Sequence, residues 1–215
     1  MTNMQNKPLI LVGGGGHCKS VIDVAESAGF TILGILDKPE LVGTSVLTYK
    51  VIGTDDDMPK YADEAEFVIT VGQIKSSALR CKLAQMIKDA GGKLATIIAT
   101  DAYVSKYATI GDGTVVMHKA VVNAGARIGM NCIINTMANI EHDVQIGNFC
   151  HISTGVMLNG EVKLDNNVFV GSNSVVNQGL RVIENSIIAS GSVLTKSITE
   201  NGLYAGSPAR FLNSI

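Results

Sequence analysis

The stretch 120–158 reads AVVNAGARIGMNCIINTMANIEHDVQIGNFCHISTGVML. In it Val122, Ile128, Ile134, Ile140, Ile146, Ile152 and Leu158 recur every six residues. The column extends back through Val116 and Ile110 to Val104, and forward through Leu164, Val170, Val176, Val182 and Ile188 to Leu194. Sixteen consecutive hexads therefore carry Ile, Leu or Val with no insertion. If aliphatic residues filled about a third of positions, such a run would arise by chance with a probability on the order of 10⁻⁸. Two residues before the aliphatic the side chain is small or modest in nearly every hexad, as at Ala102, Ala108, Thr114, Ala120, Ala126, Cys132 and Ala138. These read as corner positions with limited room.

A period of six fits neither the 3.6 of a helix nor the plain alternation of an isolated strand, but it fits one short strand plus one turn. Three such units close a triangular coil of about 18 residues, and stacked coils pair their strands in parallel at about 4.8 Å while the aliphatic column fills the prism. About five coils are expected.

The first hundred residues follow another pattern. Leu9–Val12 reads as a strand, Gly13–Gly16 as a turn and His17–Ala28 as a helix, the start of a nucleotide-binding βαβ unit. Thr31–Leu36 is a second strand ending at Asp37, Phe67–Val71 another ending at Gly72, and Ser77–Ala90 an amphipathic helix. The expected division is an α/β Rossmann-like domain over residues 1–99 and an all-β parallel β-helix with a C-terminal cap over 100–215.

A net charge of −2 with no Lys/Arg-rich run argues against nucleic acid or an anionic membrane as partner. No stretch approaches the length of apolar sequence that spans a bilayer. The polar Met1–Pro8 lacks the regions of a signal peptide, so the default location is cytoplasmic. Cys18, Cys81, Cys132 and Cys150 form no Cys-x-x-Cys pair, have no His at zinc-ligand spacing, and read as reduced thiols. Cys132 and Cys150 fall one coil apart and are expected to stack as small buried residues.

The candidate chemistry lies in two places. A glycine-rich turn between strand and helix lets phosphate approach backbone and helix N-terminus, and an acidic residue some twenty positions on can hold a ribose hydroxyl. Gly13, Gly15 and Asp37 fit, with His17 where the loop becomes a helix, whereas Cys18 replaces the third glycine of the dinucleotide fingerprint. A mononucleotide or nucleotide-sugar site is favoured over NAD; a tight turn that merely needs glycine dihedrals is the plain alternative.

On the β-helix, His142 stands two residues after the inward Ile140, and one coil away in either direction lie Ala124 and Gly160. The imidazole is thus expected between residues with almost no side chain, with room for a substrate. Asp143 and Glu141 flank it, and a carboxylate on one ring nitrogen fixes the tautomer and raises the basicity of the other. Either acid fits at this stage, and a histidine merely closing a corner is the plain alternative. His151 is expected to face outward, towards a neighbouring prism or a ligand. His118 heads a column continued by Thr136, Thr154, Ser172 and Ser190, either a ligand groove or a solvated turn. Ala205-Gly-Ser-Pro-Ala-Arg210 and Lys196 cap the last coil or meet phosphates.

With the glycine loop, the unbroken hexads, His142-Asp143 and Gly206-Ser-Pro-Ala209 placed, nearly the whole chain resembles the NeuD/PglD-type sugar O/N-acetyltransferases of bacterial surface-glycan biosynthesis. Within that family it is most similar to the UDP-4-amino-sugar N-acetyltransferase of the bacillosamine pathway and to the sialic acid O-acetyltransferases. The resemblance implies a left-handed β-helix, a homotrimer with sites between adjacent prisms, acetyl-CoA as cosubstrate and no metal. It makes His142 the general base and Asp143, where the relative has glutamate, the acid that increases its basicity. His151, Ser172 and Ser190 match acetyl-CoA-contacting positions. Gly15, Gly16, His17, Asp37, Lys38 and Gly72 match the nucleotide-sugar site, Lys38 standing where the relative has an aspartate. The implied reaction is direct transfer of an acetyl group to a sugar amine. Two alternatives stay open: a sialic acid hydroxyl as acceptor, to which Leu158-Asn-Gly160 and Val176-Asn177 are similar, and a non-catalytic nucleotide-sugar-binding scaffold; a zinc carbonic anhydrase would need three convergent histidines, and His118, His142 and His151 lack the close pairing of such a site.

Overall fold

The structure, a computed structural model, describes residues 7–214. Most of the polar N-terminal stretch therefore lies outside the described residues. The chain divides into two compact units. One runs to Gly72 and takes in Ala78–Ile97; the other comprises Gln73–Ser77 and the chain from Ile98 onward.

The first unit is built on β1 (Leu9–Val12), α1 (Gly16–Ser27), β2 (Ile32–Leu36), β3 (Ser45–Val46), β4 (Tyr49–Gly53), a short helical turn α2 (Met58–Tyr61), β5 (Glu66–Ile69) and α3 (Ala78–Asp89). The sheet order is β3-β4-β2-β1-β5; β1 runs parallel to β2 and β5, β2 parallel to β4, and β3 antiparallel to β4. β1 is buried over its whole length, as a central parallel strand with both faces covered must be. α1 buries Cys18, Val21, Ile22 and Ala25, the spacing of one helical face. Gly29, at φ 77°, takes the left-handed step that ends this helix at no steric cost. Ile10, Val12, Leu36, Met58, Phe67, Ile69, Leu83 and Ile87 close the core.

The second unit is a left-handed parallel β-helix of two-residue strands. Its strands stack into three sheets in which each residue pairs with the one a full coil away: Val122 with Val104 and Ile140, Ile128 with Ile110 and Ile146, Ile134 with Val116 and Ile152. The aliphatic column from Val116 to Leu194 is buried and forms one continuous core, with Val104 and Ile110 packed against it at the open first coil. The small positions are buried too, Ala120, Ala126, Cys132 and Ala138 each at 0 % exposure, because they turn the chain inside the corner.

Every corner from Gly113 to Gly191 places one residue in the left-handed region, once per hexad. Glycine fills it at 113, 125, 155, 179 and 191, Asn at 131, 167, 173 and 185, and Asp at 143. These are the types that tolerate positive φ, through a missing Cβ or a short polar side chain. Lys119, Met137, Phe149 and Glu161 adopt it as well, held by the backbone bonds of adjacent coils, such as Phe149 N–H to the Met130 carbonyl at 2.9 Å.

The three sheets differ outside. One presents Thr109, Arg127, Gln145, Lys163 and Arg181, all exposed and mostly polar. A second presents Val115, Ile133, His151, Phe169 and Ile187, all buried. The third presents Tyr103, Val121, Asn139, Met157, Val175 and Val193, with Tyr103 58 % and Met157 47 % exposed. The chain ends in an antiparallel hairpin, Leu203–Gly206 with Ala209–Asn213, laid against the last coil. No described helix is long and apolar enough to cross a membrane.

Candidate active site

In the first unit the residues expected to hold a nucleotide sugar gather at the C-terminal ends of β1, β2 and β5. Gly13, at φ 102°, lies so close to Val71 that a Cβ there would stand 2.5 Å from Cγ2. Thr70, fully buried, donates its hydroxyl to the carbonyls of Val12 and Gly13 and pins the start of the turn. The Gly14 N–H donates to Asp37 Oδ2 at 2.6 Å, and the Lys38 N–H to Asp37 Oδ1 at 2.8 Å. The carboxylate thus locks the glycine turn onto the end of β2, and each oxygen retains acceptor capacity. A Cβ added at Gly15 or Gly16 would meet nothing within 4 Å. α1 opens there with no side-chain cap and no acidic residue in its first turn, so its N–H groups and positive dipole end face that space. His17 lies in the first turn of α1 beside Gly72, whose added Cβ would lie 3.7 Å from the His17 Cβ.

Two residues that hold this region escaped the sequence reading. Arg80 is 1 % exposed and donates to the Val71 carbonyl at 2.6 Å and the Ile69 carbonyl at 3.3 Å. It fixes the chain leaving β5 towards Gly72, although a charged residue in an amphipathic helix reads as surface. Thr70 carried no motif; its signal was only its place at the end of an apolar strand.

On the β-helix, His142 and Asp143 share a corner. The His142 Nδ1–H donates to Asp143 Oδ2 at 3.0 Å, leaving Nε2 with its lone pair in the neutral ring. Both side chains are largely exposed. The hydrogen bond to Asp143 pushes the imidazole above its usual range; desolvation opposes it, and the charges of Asp143, Glu141 and Glu161 add to the rise. The ring lies against Gly160: an added Cβ there would stand 2.6 Å from Nε2 and 2.7 Å from Cε1. Coil stacking is direct, with Asp143 N–H on the Ala124 carbonyl and Glu161 N–H on the His142 carbonyl. Of the two flanking acids, Asp143 reaches the ring. The left-handed backbone at Asp143, φ 60°, turns its short carboxylate back along the corner. Glu141 instead accepts from Asn139 Nδ2 at 3.0 Å and Asn123 Nδ2 at 3.1 Å.

His151 corrects its expectation. It points out of the prism, but the ring is covered, 8 % exposed, by Gln73 and the edge of Phe169. Its Nδ1–H donates to the Gln73 carbonyl at 2.6 Å and its Nε2 accepts from Asn135 Nδ2 at 3.2 Å. Gln73 in turn donates to the Phe149 carbonyl, and Ser77 to Asn167, which seats segment 73–77 on this sheet. Asn135 Oδ1 takes the Thr136 N–H at 2.7 Å at the adjoining corner. There Thr154, Ser172 and Ser190 follow in a column, Ser172 half-buried and the other two exposed, with Ser172 Oγ 2.9 Å from Ser153 Oγ. His118 heads that column with Nδ1–H on Asp101 at 2.7 Å, a bond that holds the Asp101 carboxyl below its ordinary range. The three prism histidines thus serve three separate arrangements, and among the described residues no group of three His, Cys, Asp or Glu is placed to hold a metal ion. Arg210 donates to its own neighbour's carbonyl, at Ala209, and with Lys196 and Tyr204 lines a cavity of about 280 Å³ at the end of the prism.

A family model described as the PglD N-terminal domain matches residues 8–87. Among solved structures, the acetyltransferase domain of PglB from Neisseria gonorrhoeae is 31 % identical with a TM-score of 0.89, the alignment covering 96 % of this chain and 100 % of that one. The same domain in complex with acetyl coenzyme A gives 31 % and 0.88 over the same shares. PerB from Caulobacter crescentus, solved in complex with CoA and GDP-perosamine, is 29 % identical with a TM-score of 0.89, over 96 % of this chain and 97 % of that one. A search of curated proteins gives no match. A glycine turn locked by Asp37, an unbroken left-handed β-helix and a corner histidine held by the next residue thus coincide with full-length likeness, and the chain belongs to the NeuD/PglD-type sugar acetyltransferases.

Proposed function

We propose that this protein transfers the acetyl group of acetyl-CoA to the 4-amino group of a nucleotide-linked amino-deoxy sugar, of the UDP-4-amino-sugar, bacillosamine type, in surface-glycan biosynthesis. The observation that carries this reading is the His142 ring with Nδ1 committed to Asp143 and Nε2 lying over the bare backbone of Gly160. His142 is the base that takes a proton from the acceptor's amino group, whose nitrogen attacks the thioester, and backbone N–H groups at the corners meet the developing oxyanion. The thioester is activated enough that positioning plus one base suffices.

The nucleotide sugar is assigned to residues 1–99, where Gly15, Gly16, His17, Asp37, Lys38 and Gly72 form its seat, and transfer to residues 100–215. Acetyl-CoA is assigned to the column of Ser172 and Ser190, with His151 acting through the Asn135 amide that it orients. We assign a homotrimer as the working form. Its support is the exposed apolar sheet bearing Tyr103, Val121, Met157, Val175 and Val193, bordered on one edge by the His142 corner and on the other by the Ser172 corner. A cyclic trimer joins two different patches of each copy, so these two corners can meet across a seam. Four free thiols and a thioester cosubstrate fit a cytoplasmic location.

The test is thioester consumption with UDP-, GDP- and dTDP-linked amino sugars, and with sialic acid as a hydroxyl acceptor. Turnover with an amino sugar, lost by about 10²- to 10⁴-fold in His142→Ala, supports the reading. Turnover only with sialic acid replaces it by O-acetylation, and undiminished turnover in the variant removes His142 as base.

A further inference from the structure

The corner that carries His142 holds a second carboxylate which does not orient the ring. Glu141 is half-buried, and its two oxygens accept one bond each from the amides of Asn123 and Asn139. Both donors are neutral, and among the described residues no lysine, arginine or histidine forms an ion pair with it. Asn139 is also the one polar member of the outward column Tyr103, Val121, Asn139, Met157, Val175 and Val193. An amide on an otherwise apolar face costs free energy unless it is bonded, and the bond it makes is to Glu141. Two side chains from successive coils thus fix this carboxylate one residue from the base, with acceptor capacity left over and its charge unbalanced.

An amine on a sugar ring titrates near an α-amino group, at about 7.7–8.0, so it arrives near pH 7 largely as ammonium. A hydroxyl does not. We propose that Glu141 receives the ammonium of the acceptor sugar and that this contact, set beside His142, selects amine over hydroxyl acceptors. The inference rests on the amino-sugar reading above. The ammonium docks on Glu141 and passes one proton to His142 Nε2. The freed lone pair then attacks the thioester carbon; the C–N bond forms, the C–S bond breaks, and the second amine proton ends on the departing thiolate. The imidazolium, faced by Asp143, Glu141 and Glu161, returns its proton to solvent.

The experiment compares wild type with Glu141→Gln, which keeps an oxygen for the asparagine amides and removes the charge. At pH 7 the KM for the amino sugar is expected to rise about tenfold, with kcat moving less. The inhibition constant of the matching 4-hydroxy nucleotide sugar, neutral at that position, should stay within about twofold. In wild type alone, KM should climb as pH passes the amine's own titration, a readout that survives if the variant fails to fold. An unchanged KM in the variant, a KM and inhibition constant that rise together, or a wild-type KM flat with pH overturns the role of Glu141 and leaves the acetyltransfer intact. Wild type that acetylates no amino sugar overturns the parent reading and this one with it.

Discussion

The imidazole of His142 rests on the backbone of Gly160, one coil further along, with so little clearance that a single added methyl would stand 2.6 Å from Nε2. Gly160 itself is not in the left-handed region, so alanine is conformationally tolerable there. Gly160→Ala should therefore push the ring off its seat while leaving the prism folded. The expected result is a fall in kcat of about 10²-fold, the scale of an ångström's misplacement, with a cooperative melt retained. Paired activity and thermal-melt measurements check it.

Asp143 has two separable duties, one electrostatic and one conformational. Asp143→Asn keeps a residue that tolerates φ 60° but removes the charge on Nδ1. It should retain stability and lose about tenfold in kcat/KM. Asp143→Val should also cost about 1–2 kcal/mol of stability, the penalty of a side chain forced into the left-handed region. Chemical denaturation separates the two.

The raised imidazole also sets the pH profile. In the proposed role of base His142 must be neutral, so the acid limb of kcat/KM should lie above the range of an ordinary histidine, and Asp143→Asn should move it to lower pH. The stability sign is opposite. Because the folded-state value is raised, the His142–Asp143 contribution is complete below the unfolded value and is lost as pH rises through the folded one.

Ile140→Ala removes a fully buried member of the aliphatic column. A loss of about 2–5 kcal/mol is expected. Lys163→Ala, on the exposed polar sheet, should stay within about 0.5 kcal/mol. Equal effects would deny that the sixths form the core.

Thiol reactivity gives a check independent of catalysis. Burial pushes the Cys18 thiol up to about 11 and the Cys150 thiol well above its usual range, and Cys150 is bonded to the Asp165 carbonyl. Cys81, partly exposed on α3, should take iodoacetamide first at pH 8, and Cys18, Cys132 and Cys150 only on unfolding. Mass spectrometry of partly labelled protein reads the order.

The prism was legible because its determinant is periodic: an inward aliphatic at a fixed interval fixes both strand position and stacking register. The same register put Gly160 against His142 before any coordinate. What lay outside the period was not legible. The covering of His151 depends on Gln73, 78 residues earlier in the chain, and no spacing connects them. Arg80 went unread because its burial is balanced by the carbonyls at the end of β5, a compensation invisible in its own sequence neighbourhood. The choice of Asp143 over Glu141 turned on backbone dihedral and on two asparagine amides, neither of which the order of residues declares.

The left-handed step at every corner also governs how such a chain can change over time. A residue dropped between two corners would throw each later aliphatic out of line, and one dropped between His142 and Gly160 would also slide Gly160 from under the histidine. Point replacements are absorbed locally, whereas length can be gained or lost without disorder only by the complete turn.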